Sequence, residues 1–264
     1  MPDSIQHWRK PPTIKSPIVR WGIYAAIALY LGITIPTLPI NWTRVAEGIG
    51  RASQIFNGAF PPSFERSELL FEGFFESLRI AVLATVIGVG LSVPLAFSAA
   101  RNLSPMPIYV LGRGIIILAR SFHPVIVAIL FVKAVGFGPL AGVLTLVVYS
   151  IGFVAKMLAE RIEEIDFGQV EAMRATGASG LLTIFYAVFP QIIPRQVGLS
   201  IYQLDSNLRA SAVVGIVGAG GIGSTLANAF GRYDYDFALA ITMVIVAVIL
   251  VSEGISGRIR KYYG

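Results

Sequence analysis

Gly218, Gly220 and Gly223 satisfy G-x-G-x-x-G behind the strand-like run Val213-Val214-Gly215-Ile216-Val217. That spacing can seat a dinucleotide pyrophosphate on a helix N-terminus. The surroundings reject such chemistry. The fingerprint needs a βαβ unit of about thirty residues with an acidic residue some twenty positions on, whereas Arg209 stands upstream here and a long apolar run follows. A phosphate loop fails as well, because Gly223 is followed by Ser224 and Thr225 and the required lysine is missing. Cysteine is absent, which excludes disulfides, thiolate metal sites and cysteine nucleophiles. His7 and His123 are too few and too far apart for a metal site. A membrane-embedded enzyme such as a lipid phosphotransferase would need Asp, His or Ser clustered near one face, and the sequence offers none. No catalytic, cofactor-binding or metal-ligating residue is therefore assigned. Gly218, Gly220, Gly221 and Gly223 read instead as sites of close helix packing, or as a re-entrant turn lining a cavity.

One charged pair remains. Asp205 lies one helical turn before Arg209, the acid-before-base order that favours an i,i+4 ion pair. Two readings stay open for it. In one, the pair is structural and lets an apolar helix pack. In the other, Arg209, with Asn207 nearby, lines a path and offers an anion a transient positive partner.

The elements that would position these residues are membrane spans. With 55% hydrophobic and 14% charged residues, the 264-residue chain has too few charges to clothe a soluble globule. An all-α integral membrane protein follows. Residues 1–17 read as a polar, Pro-rich cytoplasmic tail, and 18 to about 40 as the first transmembrane helix. That run is too long for a signal peptide, and its Ala26-Ile27-Ala28 tripeptide falls mid-run, where no cleavage site belongs. Within 41–68, Val45, Ile49, Ala52 and Phe56 share a helical face behind a Thr43 cap, giving an external interfacial helix. The core domain, 69–264, supplies five more spans: 69–100, interrupted by Pro94; 107–135, kinked or broken at His123-Pro124; 139–158; 192–217; and 237–255. Counted from Ile192, Arg209 stands about 25 Å along its helix, in the outer half of the membrane.

Between the fourth and fifth spans lies a polar stretch, about 160–190, with Glu160, Glu163, Glu164 and Asp166 at its start. At roughly 3 kcal/mol for each charge at a bilayer centre, it must lie in water. Val170, Met173, Gly177, Leu181, Ile184 and Val188 recur at helical steps, and Gly177 breaks the run, so the spacing predicts a short helix, a turn and a second short helix. Such an elbow is a docking element.

The same residues carry a resemblance. Glu171-Ala172-Met173, three residues, Gly177, nine residues and Ala187-Val188-Phe189-Pro190 resemble the Glu-Ala-Ala coupling loop of ABC importer permeases, with Met for the second Ala, Ala for Ile and Phe for Leu. Further blocks are similar to the phosphonate-type permeases: Gly136-Phe137-Gly138-Pro139, Lys156 through Asp166, Tyr202-Gln203-Leu204-Asp205-Ser206-Asn207-Leu208-Arg209, and Gly215 through Gly223. The family usually has Glu at Asp205 and an acidic residue after the proline of Pro124-Val125. The resemblance implies the type I importer fold, with about six transmembrane helices and a cytoplasmic coupling elbow. It implies ATPase coupling through Glu171, Ala172, Met173, Gly177, Phe189 and Pro190, and a translocation path past Asp205, Asn207, Arg209 and the glycines at 218–223. A second permease copy in a homodimer, two ATPase subunits and an extracytoplasmic binding protein are the implied partners, with ATP and Mg bound by the ATPase and none by this chain. The cargo it implies is phosphonate, phosphate or phosphite. Alternatives are an importer permease for another small solute or a stand-alone secondary transporter, although only one elbow motif and no repeated half are visible. Nothing points to nucleic acid. The net charge of +6 comes from basic residues beside apolar runs, where they orient spans.

With both termini in the cytoplasm of a bacterial inner membrane, Arg9, Lys10, Lys15, Arg20, Arg101, Arg113, Lys156, Arg161, Arg174, Arg195, Arg258, Arg260 and Lys261 fall inside. Arg44, Arg51, Arg66, Lys133 and Arg232 fall outside, and the asymmetry puts the elbow inside. A reporter fused after Arg174 should therefore be cytoplasmic and one fused at Asn57 external. The reverse labelling would remove the elbow from any cytoplasmic partner.

Overall fold

The computed structural model describes residues 16–39 and 41–263, with side chains described through Arg258. The expected tail, with His7, Arg9, Lys10 and Lys15, lies outside the described residues up to position 15. Among the described residues the chain is helical, with no strand. It divides into two compact units, Met1–Gln54 and Ile55–Gly264.

In the first unit, α1 (Pro17–Thr37) is apolar beyond Arg20 in its first turn and buries none of its residues within the chain. Its 21 residues reach about 31 Å at 1.5 Å each, the thickness of a bilayer core. Lipid must cover it. Helix α2 (Trp42–Ala59) runs across the division between the units and leaves Val45, Ile49 and Phe56 exposed, as an interfacial helix would. Its cap is Asn41 rather than Thr43: the Asn41 Oδ1 accepts the Arg44 N–H at 3.1 Å. Thr43 falls inside the first turn, past the position from which a side chain reaches the free amides.

The second unit contains α3 (Ser67–Ser98), α4 (Met106–Ser121), α5 (Pro124–Val135), α6 (Pro139–Glu163), α7 (Phe167–Ala175), α8 (Gly180–Thr183), α9 (Phe189–Val214), α10 (Ile222–Gly231) and α11 (Tyr235–Tyr263). Single π-helical turns join α8 to α9 (Ile184–Val188) and extend α9 toward α10 (Gly215–Ala219). Four helices, α1, α3, α6 and α11, are long and apolar enough to span alone. Two bent pairs, α4 with α5 at 92° and α9 with α10 at 50°, bring the total among the described residues to six where each pair counts as one span. Pro124 breaks its span as expected, because a proline needs extended backbone before it and His123 supplies that at φ −67°, ψ 141°. Pro94 does not interrupt α3. Gly90 stands four residues earlier, where a proline ring crowds the carbonyl and a glycine backbone can give.

Small residues set the packing. A Cβ on Gly88 of α3 would overlap Ser150 of α6, so these two helices meet nearly backbone to backbone. One apolar core gathers Ala96, Ala99, Leu158, Ile162, Val170 and Ile192 at the elbow end, and a second gathers Ile80, Ala128, Leu146, Val214 and Ala219 toward the other end. There the loop around Gly218 passes so close to α6 that a Cβ on Gly142 would sit 2.5 Å from the Ala219 carbonyl. Gly142→Ala should therefore cost about 1–3 kcal/mol by overpacking. Gly114→Ala, with nothing within 4 Å, should be neutral or slightly stabilising. Thermal unfolding of the two variants in detergent measures the difference, and equal midpoints would refute the close approach.

Candidate functional site

The elbow is built as expected in outline and differently in detail. Asp166 caps α7 by accepting the Gly168 N–H at 2.9 Å. Gly177 makes the turn at φ +80°, a conformation that side chains resist, and its N–H bonds the Arg174 carbonyl at 3.0 Å. The predicted single stripe divides between two directions. Val170 and Val188 are fully buried in the elbow-end core and Met173 packs against it, whereas Leu181 is 70% exposed. The helices on either side of Gly177 point differently, so one periodicity served two faces. Glu171, Ala172 and Gly177 are exposed, while Pro190 sits in the first turn of α9. Phe189 stacks on Phe185 and approaches Phe97 of α3, with ring centroids 5.4 Å apart in both pairs.

A residue the sequence reading missed fastens this elbow. The Gln191 side chain accepts the Asp166 N–H at 2.9 Å, and its amide nitrogen donates to the Asp166 and Ala187 carbonyls at 3.3 and 2.7 Å. Glu163, at the end of α6, accepts from the Arg101 N–H at 2.8 Å and the Arg113 guanidinium at 2.9 Å. The elbow is thus tied to α3, α4, α6 and α9 together. Leu181, Leu182, Phe185 and Tyr186 form its exposed apolar surface.

The candidate path residues fall on two sides of α9. The Asp205–Arg209 pair forms, at 3.0 Å, with Ser252 of α11 donating to the other carboxylate oxygen at 2.5 Å. The Asp205 side chain is 8% exposed and that of Arg209 52%. Asn207 does not accompany Arg209. It is fully buried on the opposite side, donating to Thr85 of α3 and Ser150 of α6 at 2.9 Å each and accepting from Gln203 at 2.9 Å. Two residues along a helix turn about 200°, which separates Asn207 from Asp205.

The glycines likewise divide. Gly218, at φ +96°, and Gly220, at φ +80°, line a recess of about 520 Å³ with Glu76, Phe137 and Asn228. Gly221 and Gly223 instead permit contact with Ser77 and with Ala212, and the Ser77 hydroxyl accepts the Ile222 N–H at 2.9 Å at the start of α10. The Gly138 N–H meets the Gly218 carbonyl at 3.0 Å, joining two of the glycine blocks noted in the sequence.

Two further recesses were not foreseen. One, of about 760 Å³, lies between α6 and α9 beside the elbow and is lined by Met157, Glu160, Arg161, Glu164, Arg195 and Tyr202, among others. The other, of about 360 Å³, sits at the α4–α5 break and is lined by Arg120, Phe122, His123, Tyr149 and Phe153. Phe153 lines both, and its ring lies 5.3 Å from that of Tyr202. The signal was present in the 4-4-3-4 spacing of Tyr149, Phe153, Met157, Glu160 and Glu164, a single stripe of α6.

Residues 88–261 match the family described as binding-protein-dependent transport system inner membrane component. A phosphate-import permease of Mycolicibacterium smegmatis is 38% identical over 250 residues, or 94% of this chain and 47% of that protein, so the chain spans about half that relative's length. A phosphite transport system permease of Stutzerimonas stutzeri is 36% identical over 244 residues, covering 92% of this chain and 86% of that protein. Among solved structures, a chain of the inward-facing MetNI methionine ABC transporter is similar in fold, with a TM-score of 0.66 and 23% identity over 76% of this chain and 99% of that one.

The buried half of the charged pair generates a stability test. Removing Arg209 leaves the Asp205 carboxylate with Ser252 alone in a low-dielectric setting, a loss of order 3 kcal/mol. Arg209→Gln should lower the amount of folded protein in the membrane, and adding Asp205→Asn should restore much of it. Immunoblotting of membranes decides, and a double variant no more abundant than the single one would deny the pairing its structural role.

Proposed function

The chain belongs to the family of binding-protein-dependent transport system inner membrane components, and on that premise we propose that it is the permease subunit of an ATP-driven importer for phosphonate, phosphate or phosphite. The similarity to phosphate-import and phosphite permeases over more than nine-tenths of the chain supports that cargo. As a permease subunit it performs no bond chemistry; its work is conformational. The protein crosses the inner membrane several times. Both termini lie in the cytoplasm in this reading, which places the elbow there.

The observation that carries the reading is an exposed elbow fixed to the ends of four membrane helices. Burial of Val170 and Val188 contributes about 1.5–3 kcal/mol each, and Gln191 and Glu163 hold its base by hydrogen bonds. A partner that moves such an elbow moves α3, α4, α6 and α9 with it. That partner is an ATPase subunit, which binds ATP and Mg itself. Two ATPases engage two copies of this chain, a homodimer, and an extracytoplasmic binding protein delivers the anion. Glu171, Ala172, Gly177 and the apolar surface around Leu181 form the docking face, with Met173, Phe189 and Pro190 setting its base. Gly218 and Gly220 line the outer end of the path and Arg209 its outer half, with Asp205 behind it as counter-ion. Asn207, Gly221 and Gly223 serve packing.

Gly177→Val forces a branched side chain into a left-handed turn and should re-aim α8. Co-purified ATPase, or uptake where the ATPase remains bound, should fall by about tenfold or more, a change equivalent to about 1.4 kcal/mol or more. Glu171→Ala removes an exposed charge that makes no ion pair among the described residues, and should change uptake by about threefold at most. Normal uptake by the Gly177 variant would show that this turn plays no part in coupling.

A further inference from the structure

The recess at the α4–α5 break has the composition of an anion site, and nothing above gives it a role. We propose that it holds the tetrahedral phosphorus oxyanion in transit, with Arg120 as charge partner and His123 and Tyr149 as hydrogen-bond donors. We further infer that the anion leaves past Phe153 and Tyr202 into the wider recess beside the elbow. The proposal rests on the reading of the chain as an importer of such anions.

Charge distribution singles out this place. Arg120 has no hydrogen-bond or ion-pair partner among the described residues, although it stands about 21 Å along its helix from Met106, in the last turn of α4 at the break in the span. An unpaired arginine at membrane depth faces water or a ligand. No carboxylate lines this recess. The wider one balances Glu160 and Glu164 against Arg161 and Arg195, and the one under the glycine loop carries Glu76. Of the three, only the recess at the break is net positive. Arg209, the cation the sequence puts forward, lines none of them and already has Asp205.

Geometry supplies the rest. A Cβ on Gly152 would lie 2.9 Å from the Arg120 Cγ, so the arginine stem rests on α6 where only glycine leaves room. The planar guanidinium suits two oxygens of one anion, which a lysine ammonium does not. The His123 Nδ1 accepts the Val125 N–H at 3.4 Å, which leaves Nε2 as the ring nitrogen able to donate to a ligand. The Tyr149 hydroxyl shares a hydrogen bond with Ser206 at 3.3 Å, an arrangement that leaves it able to donate to an anion. At about 360 Å³, the recess admits a small tetrahedral anion with several waters, each occupying about 30 Å³ in the liquid. The Phe153–Tyr202 contact stands between this site and the charge-balanced vestibule. An anion held mid-way and released to a neutral space satisfies the need to bind without being trapped.

The test uses the complete importer, with its ATPase and binding protein, in lipid vesicles. Uptake of inorganic phosphate, phosphite and methylphosphonate by the unaltered chain comes first. If none is carried, the importer reading fails and the proposal with it. If one is carried, the site is tested separately. The chain has no cysteine, so Phe153→Cys introduces a single reporter where the two recesses meet. A charged thiol reagent applied from the elbow side should label it, and the carried anion should slow labelling by about threefold or more. With Arg120→Gln added, that protection should vanish. Arg120→Gln alone should reduce uptake by about tenfold, the share of one charge-assisted hydrogen bond, with ATPase still bound. Arg120→Lys should recover part of it. Protection that persists without Arg120, or uptake within about twofold of normal, would overturn the site while leaving the importer reading intact. Where Arg120→Gln does not assemble, Tyr149→Phe decides. Weakened protection supports the site, and unchanged protection overturns it.

Discussion

The polar knot formed by Asn207, Gln203, Ser150 and Thr85 is the contact on which the other parts depend. Its side chains are buried, with Thr85 the most exposed at 7%, and they join α9, α6 and α3 where no water competes. Apolar side chains give little preference for one helix register over another in lipid, because the tails around them are as apolar as the partner helix. A hydrogen bond with only one geometry removes that freedom. Each such bond contributes only about 0.6–1.7 kcal/mol in membranes, so the knot specifies the arrangement more than it strengthens it. Gly88 makes it possible, since any larger residue would push α3 away from Ser150.

From that fixed point α6 reaches everything else. Its first turn, at Gly142, supports the glycine loop; its middle presents Tyr149 and Phe153; its last turn, at Ile162 and Glu163, anchors the elbow. A straight helix of 25 residues is about 37 Å long and transmits displacement along its axis without storing it. The elbow, the recess at mid-depth and the far loop are therefore mechanically one element. The soft points lie elsewhere, at the 92° break between α4 and α5 and at Gly218–Gly221, where backbone leaves the helix beside the recesses. Irregular backbone at membrane depth is tolerated only when covered by protein or lining a cavity, and both breaks meet that condition.

Much of this was legible in the sequence, because membrane spans are encoded by residue type alone. The six spans, the break before Pro124, the Gly177 turn and the Asp205–Arg209 pair all follow from local rules: apolar length, proline sterics, glycine freedom and helical spacing. Facing was not legible. Val170 and Leu181 share one periodicity yet end on opposite sides of a turn, and Asn207 looked like a neighbour of Arg209 until helix packing turned it inward. A single helix carries no mark of which polar residue meets another helix and which meets water. Gln191 was hidden for a related reason, since a glutamine that ties two backbone segments together looks like any other polar residue at a loop.

Charge placement explains why an arginine with a partner, on α9, and one without, on α4, do different work. Asp205 is held by both Arg209 and Ser252, so the pair presents little net field to anything passing and its main effect is to seat α9 against α11. Arg209 keeps one guanidinium nitrogen on that carboxylate while about half its side chain stays exposed, so an anion passing it meets a charge already partly neutralised. Arg120 has no such tie. Its charge raises the energy of the empty chain at mid-depth, and an oxyanion lowers it again on arrival. In that respect an unsatisfied cation is better suited to a transient ligand than a satisfied one. The same reasoning accounts for the absence of a carboxylate from the recess at the break, since a built-in counter-ion would compete with the cargo for the only positive group there.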